Sequence, residues 1–244
     1  MGSLAAGNVT KVGRMTDVDD QNKLAAKIID HVFGGIVKTD PESFVKAYLQ
    51  DVHTPVEVPS VLGGTTWTSV SGLDSYASEA QVMKASENHD WLYPKEPIES
   101  IEQLNSFIQR SDFMQGSRSF EAKDVYRSDD VARSFSVFHS RNIIDSNNIA
   151  DCNWVWDSEF LLDCTRSGES TFSIGLTEGI QCSGSYRVYG SRAITQSFFI
   201  KNCYDLQDSI FCSHLKNKQY CVANMQYTKE EYRVLKKKIF EWLF

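Results

Sequence analysis

The side chains of this chain that could carry chemistry are histidines and aspartates in its second half. His139 and His214 are each a candidate general base, the group that acyl transfer needs to activate its nucleophile. Aspartates recur at six-residue intervals, and carboxylates held on one face are the acid and base of carbohydrate-active enzymes. They are Asp145, Asp151, Asp157 and Asp163. Both types also have a structural interpretation, as surface histidines and as polar residues at the corners of a fold.

All six cysteines lie in the same half, at Cys152, Cys164, Cys182, Cys203, Cys212 and Cys221. No two are spaced as CxxC, which weakens the case for a zinc site. The start of the chain lacks the apolar segment of a secretion signal, so a disulfide framework is not expected. The favoured interpretation is that the thiols act as small buried hydrophobic groups, with a disulfide or a metal as alternatives. No metal or other cofactor is predicted.

These residues belong to a repeat of six. From Ala122 to Asp163 the chain reads AKDVYR, SDDVAR, SFSVFH, SRNIID, SNNIAD, CNWVWD and SEFLLD. Each six has a small residue first and Val, Ile or Leu fourth. After CTRSGEST the count resumes, displaced by three, as SIGLTE, GIQCSG, SYRVYG, SRAITQ, SFFIKN, CYDLQD and SIFCSH. In this second block cysteine twice takes the fourth place. A regular period of this kind is an internal structural repeat.

A period of six predicts a mainly β fold, a parallel β-solenoid, because it suits neither a helix of period 3.6 nor a meander of hairpins. Each six would be a short strand and a corner, with the fourth-place side chain stacked inside. Triangular coils, each made of three sixes, are predicted because Cys164 and Cys182 are three sixes apart, as are Cys203 and Cys221. A two-sided coil made of two sixes, which stacks Cys152 on Cys164, remains open.

The repeat also predicts which residues are buried and where the coil is irregular. The fourth-place residues of the first block should all be buried, namely Val125, Val131, Val137, Ile143, Ile149, Val155 and Leu161. The segment from Cys164 to Thr171 should be a bulged loop or an irregular corner, because the count slips there by three.

The chain divides into three regions. Residues 1–115 are expected to be a mostly helical docking or capping region, residues 116–224 the β-solenoid, and residues 225–244 an amphipathic C-terminal helix. A solenoid has two open ends with unpaired strand edges, and helices are the usual covers. The helices of this chain are therefore expected to cover the two ends.

Individual helices have recognisable starts. Apolar residues at helical spacing from Leu24 to Phe33 predict the first, and Asp40 with the following proline begins the second. A third is expected over residues 100–110. Thr228 and Glu231, three residues later, form a capping box for the last helix.

Two sets of surface residues are candidates for contact with a partner. The sixth-place residues should face solvent in one column that passes from basic to acidic, as Arg127, Arg133, His139, Asp145, Asp151, Asp157 and Asp163. That column is either a solvated edge that discourages strand addition or a polar strip that a partner or a cation reads. The second set is aromatic, because exposed aromatic side chains mark interfaces; its members are Trp154, Trp156, Phe160, Trp242 and Phe244. The last two should be buried against the protein's own body or, preferably, against another chain.

Composition and missing motifs exclude several classes. The 244 residues carry a net charge of -7, which argues against a nucleic-acid binder with a broad basic surface. No apolar run is long enough for a membrane span. None of the sequences GxxxxGK[ST], HExxH, GxSxG or GxGxxG occurs. Hexapeptide-repeat acyltransferases also count in sixes, but they place the small residue four after the aliphatic one, and here the spacing is three.

The segment LKNKQYCVANMQYTKEEY, from Leu215 to Tyr232, resembles the C-terminal signature of uncharacterised proteins of bacteriophages and candidate-phylum bacteria. In those proteins repeats rich in Ser, Asn and Cys run into an ending of the form LKNKQYC…NxQYTKEEY. The resemblance covers residues 128–232. It implies a virion protein that is located in the phage particle after synthesis in the host cytoplasm.

The leading hypothesis is a non-enzymatic structural or attachment component of a bacteriophage particle, such as a capsid decoration, connector or tail protein. Its partners would be other virion proteins or copies of itself, with no small-molecule substrate, nucleic acid or membrane. The alternative is a β-solenoid enzyme, either carbohydrate-active or a hexapeptide-type acyltransferase. A groove lined by carboxylates and aromatic residues would favour the enzyme, and a flat face that a second chain covers would favour the structural protein.

Overall fold

The computed structural model describes residues 17–37, 40–48, 52–70, 75–88, 91–110 and 112–244. Five helices lie in these ranges: α1 (Asp17–Phe33), α2 (Pro41–Tyr48), α3 (Glu79–Ser86), α4 (Ile101–Ile108) and α5 (Lys229–Leu243). None of these helices has the length and apolar character needed to cross a membrane.

Most of the described chain is β-structure in short strands. The strands are β1 (Val56–Pro59), β2 (Thr65–Thr68), β3 (Tyr76–Ser78), β4 (Met114–Gly116), β5 (Ser119–Phe120), β6 (Lys123–Tyr126), β7 (Asp129–Ala132), β8 (Phe135–Phe138), β9 (Arg141–Ile144), β10 (Asn147–Ala150), β11 (Asn153–Trp156), β12 (Glu159–Leu162), β13 (Thr165–Gly168), β14 (Thr171–Thr177), β15 (Ile180–Ser183), β16 (Tyr186–Tyr189), β17 (Arg192–Thr195), β18 (Phe198–Lys201), β19 (Tyr204–Gln207), β20 (Lys216–Gln219), β21 (Cys221–Val222) and β22 (Met225–Gln226).

Strands β5 to β20 form a parallel β-solenoid of about eight turns, which confirms the predicted fold class. The predicted coil length is wrong, however. Ile143 pairs with Val155, and Ile149 with Leu161, so each residue lies beside the one that follows it by two sixes. The two-sided coil is therefore the one that forms, and triangular coils do not occur in the described chain.

The two-sided coil closes because the backbone bends at every third residue. From Glu121 to Ala223 every third residue has a positive φ, and the non-glycine values run from 44° at Phe172 to 60° at Asp130. These bends have the left-handed backbone conformation. Residues other than glycine adopt it infrequently, and they do so here because the surrounding structure holds them in it. Four bends complete one coil. One residue in three then points inward and two point outward.

The inward positions alternate between small and large side chains. Of the seven aliphatic residues predicted to be buried, six are, and Val125 in the first complete coil is partly buried. The first-place residues between them are buried serines and cysteines, such as Ser140, Ser146 and Cys152. Large side chains beside small ones suit a narrow interior, because protein cores are closely packed.

The break in the count of six is not a loop, so that prediction is wrong. The residues from Cys164 to Thr171 include strand β13. Strand β14 pairs in the register of the two-sided coil with both the preceding and the following coil, since Leu162 pairs with Ile174 and Ile174 with Tyr186. A displacement by three residues equals the spacing between two successive bends, which is a quarter of a coil. The backbone therefore continues unchanged, and the large and small columns exchange places.

The columns change size in steps at this exchange. One small column reads Ser140, Cys152, Cys164 and then becomes large at Leu176, Val188 and Ile200. Another reads Ser158, Ser170, Cys182, Ile194 and Leu206. Cysteine is intermediate in size between serine and leucine and tolerates burial as a small hydrophobic group. Cys164 and Cys182 owe their spacing to this exchange, and neither of the two cysteine pairs on which the triangular coil rested is stacked, because a coil has two sixes and not three.

Three of the helices lie along the side of the solenoid rather than over its ends, which corrects the second expectation for these three. Helices α1, α2 and α5 pack on an apolar outward column, here called the helix-covered face: Phe138, Ala150, Leu162, Ile174, Tyr186, Phe198, Ile210 and Val222. Phe33 of α1 is central, with its ring within 5.8 Å of the rings of Phe44, Phe198 and Phe240. Each coil places one apolar side chain at this outward position, so the column must be covered by helices to be shielded from solvent.

Residues 52–116 contain β-structure as well as helices. Strands β1 and β2 form an antiparallel hairpin, and β3 pairs with β4 in parallel. Helix α3, which the sequence did not predict, starts with a capping box between Ser78 and Gln81. This region is joined to the solenoid through Asp129, a buried carboxylate that accepts hydrogen bonds from the Arg118 guanidinium at 3.0 Å and from Ser69 Oγ at 2.6 Å.

The predicted starts of the helices agree with the structure. The backbone N–H of Glu42 donates to Asp40 Oδ1 at 3.1 Å, as expected of an N-cap. Ser100 caps α4, and Thr228 and Glu231 form the capping box of α5.

Candidate interaction surface

A second apolar column runs along a side of the solenoid that no helix of the described chain covers. Here called the exposed stripe, it consists of Phe120, Ile144, Trp156, Ile180 and Tyr204, joined by pairings to Ala132, Gly168 and Arg192 in the intervening coils. It occupies strands β5, β7, β9, β11, β13, β15, β17 and β19. The helix-covered face occupies the alternate strands, on the other side of the coil.

The stripe is long and narrow. From Phe120 to Tyr204 there are seven coil spacings of about 4.8 Å, a length of roughly 34 Å. Phe120 is 62% exposed, Ile144 43% and Tyr204 48%. The indole of Trp156 lies across Gly168 of the next coil, where a Cβ atom would collide with it. Only glycine allows the indole to lie flat at this point, so one aromatic side chain covers two coils.

Charged residues lie both beside the stripe and within it. Asp157 and Glu169 follow directly after Trp156 and Gly168, and both are exposed. Towards the C-terminal end the stripe itself carries Arg192 and Lys216, which are also exposed. The border of the stripe is therefore acidic, with the exposed Asp205 after Tyr204 as a further carboxylate, and the basic residues lie within the stripe itself.

The structure brings together two of the five aromatic candidates. Trp156 lies in the stripe, and Trp154, which is 56% exposed, lies two residues before it at the same coil. Phe160 lies under the protein's own α1: Lys27 Nζ is 3.9 Å from its ring centre.

The two C-terminal candidates differ from each other. Phe244 packs in the protein's own core, with its ring 4.9 Å from that of Phe33. Trp242 is 77% exposed on α5. The protein's own body therefore does not bury Trp242, and the burial of Trp242 against another chain stays a prediction.

The stripe residues Phe120, Ile144, Ile180 and Tyr204 were missed from the sequence. The sequence signal that could have found them is an apolar residue directly after an inward residue, repeated in every second six. In triangular coils such positions would be distributed over three faces. Only the two-sided coil places them in one column.

The candidate residues for catalysis are held by contacts within the stack. His139 Nδ1 lies 2.8 Å from Asp151 Oδ1, and Gln21 of α1 donates to the other oxygen of Asp151 at 2.7 Å. The rings of His139 and Trp67 are nearly perpendicular, with their centres 5.7 Å apart. His214 is exposed beside Asn202 of the preceding coil.

The sixth-place residues do not form one polar strip. The two-sided coil separates them into two columns, Arg127, His139, Asp151 and Asp163 at one corner and Arg133, Asp145 and Asp157 at another. Neighbours within a column pair with each other. Arg133 donates two hydrogen bonds to Asp145, at 2.7 and 2.6 Å. The four aspartates therefore lie at two corners of the coil and not on a common face.

All six cysteines are free and buried. Burial raises the pKa of Cys182 to about 12, and it also raises the pKa of Cys152, Cys203, Cys212 and Cys221. A protonated thiol is a poor nucleophile and a poor metal ligand. Within the described ranges no cluster of three or more His, Cys, Asp or Glu side chains is placed to hold a metal ion.

One groove lies between α1 and the first coils, with a volume of about 440 Å³. Its aromatic lining includes Tyr126, whose ring stacks on Phe138 at 5.4 Å between centres. Its polar lining includes Asp20, Asp124 and Asn148. Neither candidate histidine lines this groove.

Comparison of the chain with models of protein families, with curated proteins and with solved structures finds no match.

Proposed function

We propose that this protein is a non-enzymatic structural or attachment component of a bacteriophage particle, and that the exposed stripe is its contact surface. The observation that supports this proposal is the stripe itself, whose apolar residues extend over roughly 24 Å from Phe120 to Ile180 and resume at Tyr204 beyond Arg192. Single exposed apolar residues are ordinary on protein surfaces, but a contiguous row of them marks a site of association.

The other side of the same solenoid supports this interpretation. On the helix-covered face, outward apolar residues at the same spacing are buried by α1, α2 and α5. The exposed stripe has the same construction and no cover within the described chain. Burying an apolar surface stabilises by about 25 cal/mol per Å². A partner that covers the stripe would therefore gain the kind of stabilisation that the helices gain on the opposite side.

The assignment to a bacteriophage particle depends on the resemblance of residues 215–232 to a phage-associated ending. Capsid decoration, connector and tail protein are all compatible with a rod that carries a contact surface along its side. The partners in such a particle are other virion proteins or further copies of this chain.

The experiment compares Ile144→Glu with the parent protein. Ile144 points outward and is 43% exposed, so the solenoid should tolerate the charge while association is lost. Thr195→Glu, at an exposed outward position of another face, is the matched control and should behave as the parent does. Light scattering reports the assembly state, and mass spectrometry of purified particles reports incorporation. Absence from particles, or equal incorporation of parent and Ile144→Glu, overturns the proposal.

The groove beside α1 favours a second candidate, a carbohydrate-active enzyme. Aromatic rings that stack on sugars and carboxylates that act as acid and base are what such a site needs, and Tyr126, Asp20 and Asp124 supply both types. The test is release of reducing ends from bacterial surface polysaccharides. Activity that Asp124→Asn abolishes supports the enzyme, and no release by the parent protein counts against it.

A further inference from the structure

The groove beside α1 has one wall from the helix and one from a corner of the solenoid. Helix α1 packs on strands β10, β12 and β14, and its first turns face the earlier coils across the groove. On one side of the helix, Gln21 donates to Asp151 of the solenoid at 2.7 Å. On the other side, Lys27 Nζ lies over the Phe160 ring and closes one end of the groove. From there the groove extends to Tyr126 in the first complete coil.

The wall formed by the solenoid is a column of polar side chains. Asp124, Ser136 and Asn148 lie at the same corner in successive coils, each at a bend with a φ of 54°, 54° and 58°. The column spans about 10 Å, at about 4.8 Å per coil. Within the described ranges these three side chains make no hydrogen bond. Their polar atoms therefore remain available to a ligand in the groove.

The groove also has an aromatic surface that is held in place. The rings of Tyr126 and Phe138 are stacked, with an angle of 16° between their planes. Phe138 is buried, and Tyr126 is 37% exposed. Tyr126 is therefore fixed on one side by its neighbour and still presents apolar ring surface to the groove.

The charges of the lining exclude two kinds of ligand. Two aspartates and two lysines line the groove, so their formal charges cancel. Both lysines already have partners, since Lys23 Nζ lies 3.7 Å from Asp20 Oδ1 and Lys27 lies over Phe160. An anionic ligand would have to compete with these partners. A wholly apolar ligand would cover the polar column without giving it hydrogen bonds, which is costly.

We propose that the groove binds a saccharide, with a sugar ring packed on Tyr126 and its hydroxyl groups hydrogen-bonded by Asp124, Ser136 and Asn148. Sugar hydroxyls donate to a carboxylate, and they both donate to and accept from an amide or another hydroxyl. The volume of about 440 Å³ is within the range of small-molecule sites, about 300–1,000 Å³. The inference goes beyond the proposed function, because it assigns a ligand to a surface other than the stripe.

The place of the groove allows both surfaces to be used at once. Tyr126 and Phe138 belong to the column of the helix-covered face, which lies on the opposite side of the coil from the exposed stripe. A protein that is held to a particle through the stripe therefore presents the groove to the surroundings. In this arrangement one chain joins the particle to a surface that carries saccharides.

The first experiment identifies a ligand and its size. The parent protein is applied to an array of oligosaccharides from bacterial cell surfaces, and binding of one that is retained is measured by titration calorimetry. The monosaccharides of the same oligosaccharide are titrated in parallel. Because the polar column spans three coils, the oligosaccharide should bind at least about tenfold more tightly than any of its monosaccharides.

The second experiment places the ligand in the groove. Asp124→Asn and Asn148→Asp change the hydrogen-bonding groups but keep the size of the side chain, and both residue types tolerate a positive φ. Each should weaken binding of the oligosaccharide by about tenfold. Gln196→Glu, an exposed change at the same corner in a later coil, is the matched control and should bind as the parent does.

The aromatic contact has its own pair of variants. Tyr126→Phe keeps the ring and should bind within about twofold of the parent, whereas Tyr126→Ala should bind at least about tenfold more weakly. Circular dichroism with thermal melting shows whether each variant remains folded. Equal binding by the phenylalanine and alanine variants would contradict packing of a sugar on this ring.

The outcomes separate the inference from the proposed function. If no saccharide of the array binds to the parent, or if Asp124→Asn and Asn148→Asp bind as tightly as the parent, the inference is wrong, and incorporation into particles through the stripe is unaffected. If the groove binds a saccharide but the protein is absent from particles, the proposed function is wrong and the inference stands. Cleavage of the bound saccharide would keep the groove as its site and favour the enzyme.

Discussion

Ser146 links two coils through its hydroxyl group. It accepts the backbone N–H of Ser158 at 3.1 Å and donates to the carbonyl oxygen of Ile144 at 2.8 Å. The same pair of bonds recurs at Ser140, where the N–H donor is Cys152 at 3.0 Å. The first place of each six is therefore more than a small residue that fits a crowded corner. It is the acceptor for a buried backbone donor one coil away.

Replacing Ser146 with alanine should destabilise the fold although it leaves the shape of the interior almost unchanged. The N–H of Ser158 would lose its acceptor in a buried position, which costs about 1–3 kcal/mol. Ser146→Cys should cost less, because Cys152 already accepts the N–H of Cys164 at 3.2 Å in the next coils. Denaturant unfolding of the three proteins measures both differences. Equal stability of the alanine and serine forms would show that the hydroxyl is not needed.

The C-terminal helix should contribute to the stability of its own chain through Phe240 and not through Trp242. Phe240 is fully buried between Phe33 and Phe198, so Phe240→Ala should cost about 3–5 kcal/mol in the free energy of unfolding. Trp242→Ala, two residues away and 77% exposed, is the matched comparison and should change stability by less than about 0.5 kcal/mol. If both substitutions leave the melting temperature unchanged, α5 does not pack on the solenoid.

The sequence predicted the local features of the fold because they depend on neighbouring residues. The count of six, the inward aliphatic residues and the caps at Asp40 and Thr228 need no knowledge of distant contacts. Helix α3 was missed, although Ser78 and Gln81 carry the capping signal, because the helix is short and only Val82 on it is buried.

The length of the coil could not be read in the same way. A period of six fits a coil of two sixes and a coil of three sixes equally well, so the repeat alone does not distinguish them. The spacing of Cys164 and Cys182 favoured the wrong one, since both occupy the coils where large and small columns exchange. The exposed stripe depends on this length, because Ile144 and Ile180 share a column only in the two-sided coil.

The attachment of residues 52–116 to the solenoid should depend on pH through Asp129. Burial alone would raise the pKa of Asp129, but hydrogen bonds from Arg118 and Ser69 outweigh it and hold the pKa below its ordinary value. A lowered pKa in the folded state contributes stability above the unfolded pKa of about 3.9, and that stability is lost as the pH falls through the folded pKa.

Asp129→Asn should therefore destabilise the protein by about 1–3 kcal/mol at neutral pH, because the Arg118 guanidinium then keeps only the more distant carboxylate of Asp130, at 3.8 Å. The difference between parent and variant should shrink below about pH 4, as Asp129 of the parent becomes protonated. Asp145→Asn, which removes an exposed partner of Arg133, is the control and should have little effect at any pH. A difference between parent and Asp129→Asn that is unchanged at low pH would contradict this account.

The two-sided coil makes a sharp prediction about deletions. Removing residues 134–145 takes out one complete coil, so Tyr126 would come to lie beside Ala150 on the helix-covered face, as Phe138 does now. Removing only residues 140–145 preserves the count of six, but it turns the first coils by half a turn. Tyr126 would then move to the side of the stripe, and Arg127 would lose its contact with Gln21 of α1. The shorter deletion should therefore lower the melting temperature more than the longer one. In triangular coils neither deletion would remove a complete turn, so equal damage from both would contradict the two-sided coil.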